Sequence, residues 1–310
     1  MKIQKGFTLV ELMVALALGL VIVAAATLLF LTAIKSNQTQ SAMTDLQDNA
    51  NFGLNYITQD IRISNLNNVS AQLDDQLELG GIVLSQNNYP NILRPQPDPD
   101  NPSDLPVMDA TLLSGSAVGE SNVSQASDQL VIQYQPIEEN TYDCEGQVIP
   151  NTNRIIVQRY FLRPDNNPAT GEDNPLALAC DAGHYEVGST TVQNFGDAGE
   201  IIMKRVDHFR VLLNVANKVT GNQRYISIGN YMATATKPRI LGVSLGILSR
   251  SAQNVGSSPE LAQNNEYIVL DQTVTVNSDG NPNGYIRRVV TQDVAIRNAL
   301  GIREEEKNSE

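Results

Sequence analysis

Residues 5–36 read KGFTLVELMVALALGLVIVAAATLLFLTAIKS, a stretch apolar enough to cross a membrane that carries one glutamate, Glu11, at its front edge. From Leu12 to Ile34 no residue is charged, and Lys35 is the next charge met. As a helix, positions 12–34 span about 35 Å, enough for a hydrocarbon core of about 30 Å. Lys2 and Lys5 stand before them, so the positive-inside bias keeps the short amino end in the cytoplasm and sends the rest of the chain across. A secretory signal peptide has an apolar core of about 7–15 residues, which this stretch exceeds; only the alanines at 24–26 suit its cleavage site. A plain single-span anchor fits the length but leaves Glu11 unexplained. An acid within the apolar region costs about 2.5–3.5 kcal/mol even on lenient insertion scales, and such groups generally have a partner.

Beyond Ile34 the composition turns polar while the apolar period continues. Met43, Leu46, Ala50, Leu54, Ile57 and Ile61 advance by three or four, which draws one stripe along a helix. A single helix from about Thr8 to Ser64 is expected, its first half bare for membrane or filament and its second half packed on a globular body. Asp45, Asp48, Asp60 and Arg62 are expected mostly to face away from the stripe, and Gly53 is a weak point in the helix. A coiled coil with another chain is the rival use of the stripe, limited by the three or so heptads present.

The whole chain has 310 residues and a net charge of −13, with no basic stripe, so nucleic acid is not expected as a main partner. The isolated basic pairs in IRRVV and KPR read as solvated strand faces. Cys144 and Cys180 have neither a CxxC spacing nor a histidine pair nearby; in an exported domain such a pair is most often a disulfide, with buried free thiols as the alternative.

Residues 66–125 are rich in Asn, Asp, Pro and Ser and read as a polar, loop-rich insertion with a short strand near 81–84. Asp98, Asp100 and Asp104 could hold calcium, but nothing there fixes a ligand geometry and a solvated loop is favoured. The acidic stretch 165–173 hints at an EF-hand, yet its sixth position is Thr170 and its twelfth Leu176, so that reading is rejected. No cofactor is expected. From 126 to 300 period-two alternation dominates: Leu130, Ile132, Tyr134; Ile155, Val157, Phe161; Phe209, Val211, Leu213, Val215; Leu241, Val243, Leu245, Ile247; Val290, Val294, Ile296. The Asp279–Gly280 step suggests a wide hairpin between the strands that flank it. Without crossover helices of useful length, an antiparallel sheet in an α+β fold is expected, followed by a charged tail at 301–310.

The amino terminus resembles the class III leader of type IV pilins: a short basic segment ending in Gly6, then Phe7, an apolar block, and a glutamate five residues after the glycine. The resemblance implies that residues 1–6 are a leader cut between Gly6 and Phe7 by a prepilin peptidase, that Phe7 is then N-methylated, and that Glu11 serves subunit assembly by neutralising a neighbour's amino terminus. Farther on, SDQLVIQYQ, DCEG, LALAC, VDHFRVLLNVAN, PRILGVSLGILSRS and YIRRVVTQDVAIRNAL are similar, in order and spacing, to PilW-type minor pilins. That likeness implies a pilin fold, with a long helix at 7–65 packed on an antiparallel sheet domain, and a bridge between Cys144 and Cys180. It also implies an inner-membrane protein with its body in the periplasm, partnered by other minor pilins, the major pilin and a tip adhesin, that helps initiate type IV pili and ends near the tip. The related J-type pseudopilins of type II secretion share leader and fold and are the nearest alternative; a membrane-anchored extracytoplasmic binding protein is the alternative from another class.

No enzyme signature is present. His184 and His208 lack the local Ser, Cys or acidic arrangement of a nucleophile, and His208 falls on the polar alternate of a strand, at the surface or partly packed. Gly115 and Gly119 lack the lysine and following helix of a phosphate loop.

Overall fold

A computed structural model describes residues 6–96, 107–252, 254, 265–277 and 284–299, apart from positions 67, 69 and 219. The acidic loop around Asp98, Asp100 and Asp104, the Asp279–Gly280 turn and the tail at 301–310 lie outside the described residues.

One helix, α1 (Leu9–Ile63), runs unbroken through the apolar and the striped segments, capped by Thr8 at its start and Ser64 at its end. Among the described residues nothing covers its apolar half: positions 7–41 are exposed apart from two half-covered residues. Its second half buries Leu46, Ala50, Leu54, Ile57 and Ile61. The stripe is therefore covered by the chain's own body, which removes it from any coiled coil. Gly53 is a close-packing point, since an added Cβ would sit 2.9 Å from Met203 Cβ.

The body is built on strands β1 (Gly115–Gly119), β2 (Ser127–Tyr134), β3 (Thr141–Tyr142), β4 (Val148–Ile149), β5 (Arg154–Pro164), β6 (Leu176–Glu186), β7 (Glu200–Lys204), β8 (Val206–Ala216) and β9 (Gln223–Ser227). The short helix α2 (Ile228–Ala233) and strands β10 (Arg239–Arg250), β11 (Glu266–Val269), β12 (Gln272–Thr275) and β13 (Arg287–Ala295) complete it. Two antiparallel sheets result, one ordered β1-β2-β5-β6-β7 and the other β13-β10-β8-β9. The chain passes from the first to the second at Arg205, whose positive φ of 64° turns β7 into β8. The buried face of α1 shares one core with Leu130, Ile132, Tyr160 and Leu178 of the first sheet and Phe209, Val211, Val243 and Leu245 of the second. This is an α+β fold in which one rod lies across both sheets.

The outer faces of the sheets are covered too, and here local patterning misleads. The described residues of 66–125 carry little regular structure, but Val83, Tyr89, Leu93 and Met108 pack on Val131, Ile155, Val157 and Tyr185, so every residue of β2 is buried. The expected strand near 81–84 is reduced to a bridge between Ile82 and Ile132 with two bonds, from Val83 N–H to the Val131 carbonyl and from Gln133 N–H to the Gly81 carbonyl, while β1 is an added strand. On the second sheet, β11 and β12 form a hairpin whose Val269 and Val274 cover Leu248. β12 thus pairs with β11, and β13 with β10, so the strands flanking Asp279–Gly280 do not pair with each other. Under that hairpin the expected solvated faces are buried. Arg287 donates to Asp207 at 2.6 Å inside the protein, whereas Arg288 is exposed.

Asp60 also departs from expectation. Rather than facing away it is largely covered, and its Oδ2 accepts from the Tyr160 hydroxyl at 2.7 Å, which ties α1 to β5. Burial is the main cause that pushes its carboxyl up from 3.8 to about 6; the Tyr160 bond pulls the other way and nearby Asp143 adds a smaller upward push.

Two outcomes follow from this packing. Leu54→Ala opens a void at a fully buried position and should cost about 2–5 kcal/mol in denaturant unfolding, while Phe52→Ala, at a position 70% exposed, should change stability by less than about 0.5 kcal/mol. A carboxyl that is harder to ionise folded than unfolded favours the fold while protonated. The Asp60 contribution is thus whole below pH 3.8 and lost as pH rises through about 6. Thermal midpoints of the wild type should fall relative to those of Asp60→Asn across that window, and a constant gap between the two curves would reject the cause given.

Candidate assembly site at the amino-terminal rod

The residues that the resemblance singles out lie together at the free end of α1. Phe7 is 89% exposed, and an added Cβ at Gly6 would meet nothing within 4 Å. The fold of this chain makes no demand for a glycine at that position. Any demand comes from something that reads the segment from outside.

Glu11 already has work within its own helix. Its backbone N–H donates to Thr8 Oγ1 at 3.3 Å, and its Oε2 accepts from the Thr8 N–H and the Thr8 hydroxyl, both at 2.9 Å. This is a reciprocal capping box, for which the spacing Thr-x-x-Glu is the sequence signal. It satisfies donors that a helix start leaves unpaired, and it sets a negative charge at the positive end of the helix dipole. Among the described residues the second oxygen, Oε1, takes no bond, so the carboxylate can cap its own helix and still accept from a second molecule.

Cys144 and Cys180 form a disulfide across a sequence separation of 36 residues. It joins the β3–β4 turn to the middle of β6, and the Tyr56 hydroxyl of α1 donates to the Cys144 carbonyl at 3.2 Å. The bond therefore anchors the turn against which the lower part of the rod rests.

The histidines stand elsewhere. His184 is half-buried on β6, and burial holds it below its usual range. His208 is fully buried beneath the β11–β12 hairpin, which corrects the expectation of a surface or partly packed residue. Its Nδ1 lies 3.3 Å from both Ser121 Oγ and Ser127 Oγ, and its Nε2 lies 3.3 Å from Gln272 Oε1. Burial foremost, together with the nearby Arg210 charge, lowers it from 6.5 to about 4, against the Gln272 hydrogen bond, so the ring is neutral at physiological pH. Both hydroxyls are committed: Ser127 Oγ accepts from the Phe209 N–H, and Ser121 Oγ bonds the Asp207 carbonyl. Around them run the buried pairs Arg210–Asp128, Arg287–Asp207 and Arg250–Glu172. The arrangement neutralises the charges enclosed under the hairpin. In the rejected EF-hand stretch, Asp165 pairs with Lys204 and Glu172 with Arg205. Gly115 and Gly119 begin and end β1.

Two family profiles match the chain: residues 1–27 the prokaryotic N-terminal methylation motif, and residues 169–298 the type IV pilus-assembly protein W family. A comparison with curated proteins returned no match. Among solved structures, a type IV-like pilin from Thermus thermophilus is similar over 59% of this chain and 85% of its own length, at 14% identity and a TM-score of 0.29, too distant a likeness to bear on function. A prepilin motif at the start of a bare apolar rod, with an α+β body hung on the rod's far half, defines a type IV pilin-like subunit. Over 169–298 the chain is similar to the PilW-type minor pilins, and that likeness agrees with the prepilin motif at its start.

Replacing both cysteines by serine, or reducing the bridge, should lower stability by about 4 kcal/mol on the chain-entropy account. Equilibrium unfolding of the oxidised and reduced protein in detergent measures the difference, and equal midpoints would show that the bridge contributes nothing.

Proposed function

We propose that this chain is a minor pilin that helps initiate type IV pilus assembly, as part of a priming complex of minor pilins in the inner membrane, and that it ends near the pilus tip. Prepilin peptidase cuts between Gly6 and Phe7 on the cytoplasmic face and Phe7 becomes the methylated amino terminus, while the body stands in the periplasm. The observation that carries this reading is the contrast along α1, where the membrane-length window is wholly unburied and the apolar stripe of the second half is packed on the body. Lipid covers the bare half first, and the helices of neighbouring subunits cover it in the fibre.

Glu11 sets the stagger in that second environment. Its Oε2 holds the Thr8 cap, and its open Oε1 accepts from the positive amino group of a neighbouring subunit's Phe7. The pair hides two charges that would each be expensive alone in an apolar setting. The bulk of the two-sheet body favours a place near the tip, where it does not have to repeat along a lattice.

Three substitutions separate processing, capping and assembly. Gly6→Ala should leave body stability unchanged and block leader removal, so that mass spectrometry finds the first six residues in place where the wild type shows methylated Phe7. Thr8→Ala should cost the helix start about 1 kcal/mol and still allow entry into sheared pili, whereas Glu11→Ala should remain membrane-inserted and be lost from the pilus fraction. Normal incorporation of Glu11→Ala, or an unprocessed wild type in a host with active peptidase, would overturn the reading. Equal loss with Thr8→Ala would assign Glu11 to capping alone.

A further inference from the structure

We infer that the carboxylates of Glu145, Asp181 and Asp197 form a binding site for a divalent cation of the calcium type beside the Cys144–Cys180 disulfide. These residues come from three separated parts of the chain: the β3–β4 turn, the centre of β6 and the loop before β7. Their ligand oxygens nevertheless lie within 4.8 Å of one another. Two of the three directly follow the disulfide cysteines, so the bridge that joins turn and strand also brings Glu145 to Asp181.

Proximity of acids does not make a site, and two further observations point to a ligand. Asp181 is fully buried, yet only its Oδ2 is satisfied, by the Gly196 N–H at 3.0 Å and by Arg159 at 2.7 Å; its Oδ1 has no hydrogen-bond partner. A buried carboxylate oxygen with nothing to accept from is costly unless a cation or a water meets it. Beside the cluster a cavity of about 380 Å³ opens, lined by Asp143, Glu145 and Asp197, with room for an ion and its waters. Arg159 is the only cation in ion-pair contact with Asp181 among the described residues; Arg154, itself paired with Glu186, and His184 also line the cavity.

The donor set selects the ion. Carboxylate oxygens with no imidazole or thiolate among them suit a hard cation. Ligands drawn from a turn and a loop give the irregular geometry and the shell of six to eight oxygens, completed by water, that calcium accepts and that magnesium, held to an octahedron, does not. Binding would staple the β3–β4 turn and the 187–199 loop onto β6, next to the end of α1.

The test uses the full chain in detergent, oxidised and stripped with EGTA, titrated with calcium chloride by calorimetry while the thermal midpoint is followed. One binding event is expected in the range of about 10⁻⁴–10⁻³ M, as for extracellular calcium modules, with a rise in midpoint that magnesium at the same concentration does not reproduce. Glu145→Gln and Asp197→Asn relieve repulsion and so should fold at least as well in EGTA, but each should weaken binding tenfold or more. Asp181→Asn is avoided because it also strips Arg159 of its partner. Absence of heat and of any shift at 10-fold above that range would mean that Arg159 and protons suffice. Binding left intact by both variants would place the ion elsewhere. Either result overturns the inference, and neither touches the assembly reading.

Discussion

An apolar rod that finds nothing to bury against among the described residues of its own chain is the constraint on which the rest of this structure depends. A membrane-length run of unburied side chains cannot stay in water, because apolar surface left exposed forgoes about 25 cal/mol for each Å². Lipid meets that need without specifying an orientation or a neighbour. A carboxylate at the rim adds specificity, because it is tolerable at the interface and costly deeper unless a cation comes to it. The capping box refines this picture. Thr8 holds one oxygen of Glu11 in place on the first turn, so the other faces outward on a helix end that is already ordered.

The same helix sets the architecture of the body. Its lower half lies across two antiparallel sheets and contributes Ala50, Leu54, Ile57 and Ile61 to the core they share. Polar ties pin the rod against sliding: Asp60 to Tyr160, Tyr56 to the disulfide turn, and Asn49 Nδ2 to the Lys204 carbonyl at 2.9 Å. With the rod fixed, a displacement at its free end is transmitted to the body as a whole.

Much of this was legible in the sequence, for reasons that can be named. The stripe from Leu46 to Ile61 repeats at helical period, and both ends of α1 fall within one residue of the expected positions. The cysteine pair had no CxxC or histidine spacing to compete with a bridge, and the alternation in β5, β8 and β10 marked strands whose inner faces are apolar. What escaped notice came from covers that lie far away in sequence. Polar residues at alternate positions suggest a solvated face, but His208, Arg210 and Arg287 are roofed by the β11–β12 hairpin, and β2 is roofed by the irregular 66–125 segment. Their charges are met by Asp207, Asp128 and Asp271, partners that no local window contains. Asp60 failed in the same way, as its partner Tyr160 lies 100 positions on. The acidic trio beside the disulfide was invisible because its members are neighbours only once the bridge has closed.

The central claim, that neighbouring subunits cover the bare half of α1 in a fibre, is tested most directly by a photo-crosslinking residue at Leu12 in cells that produce pili. The account predicts that this chain, recovered from the sheared pilus fraction, is joined at that position to the amino-terminal helix of another pilin. Crosslinks only to lipid, with the chain absent from the pilus fraction, would contradict it.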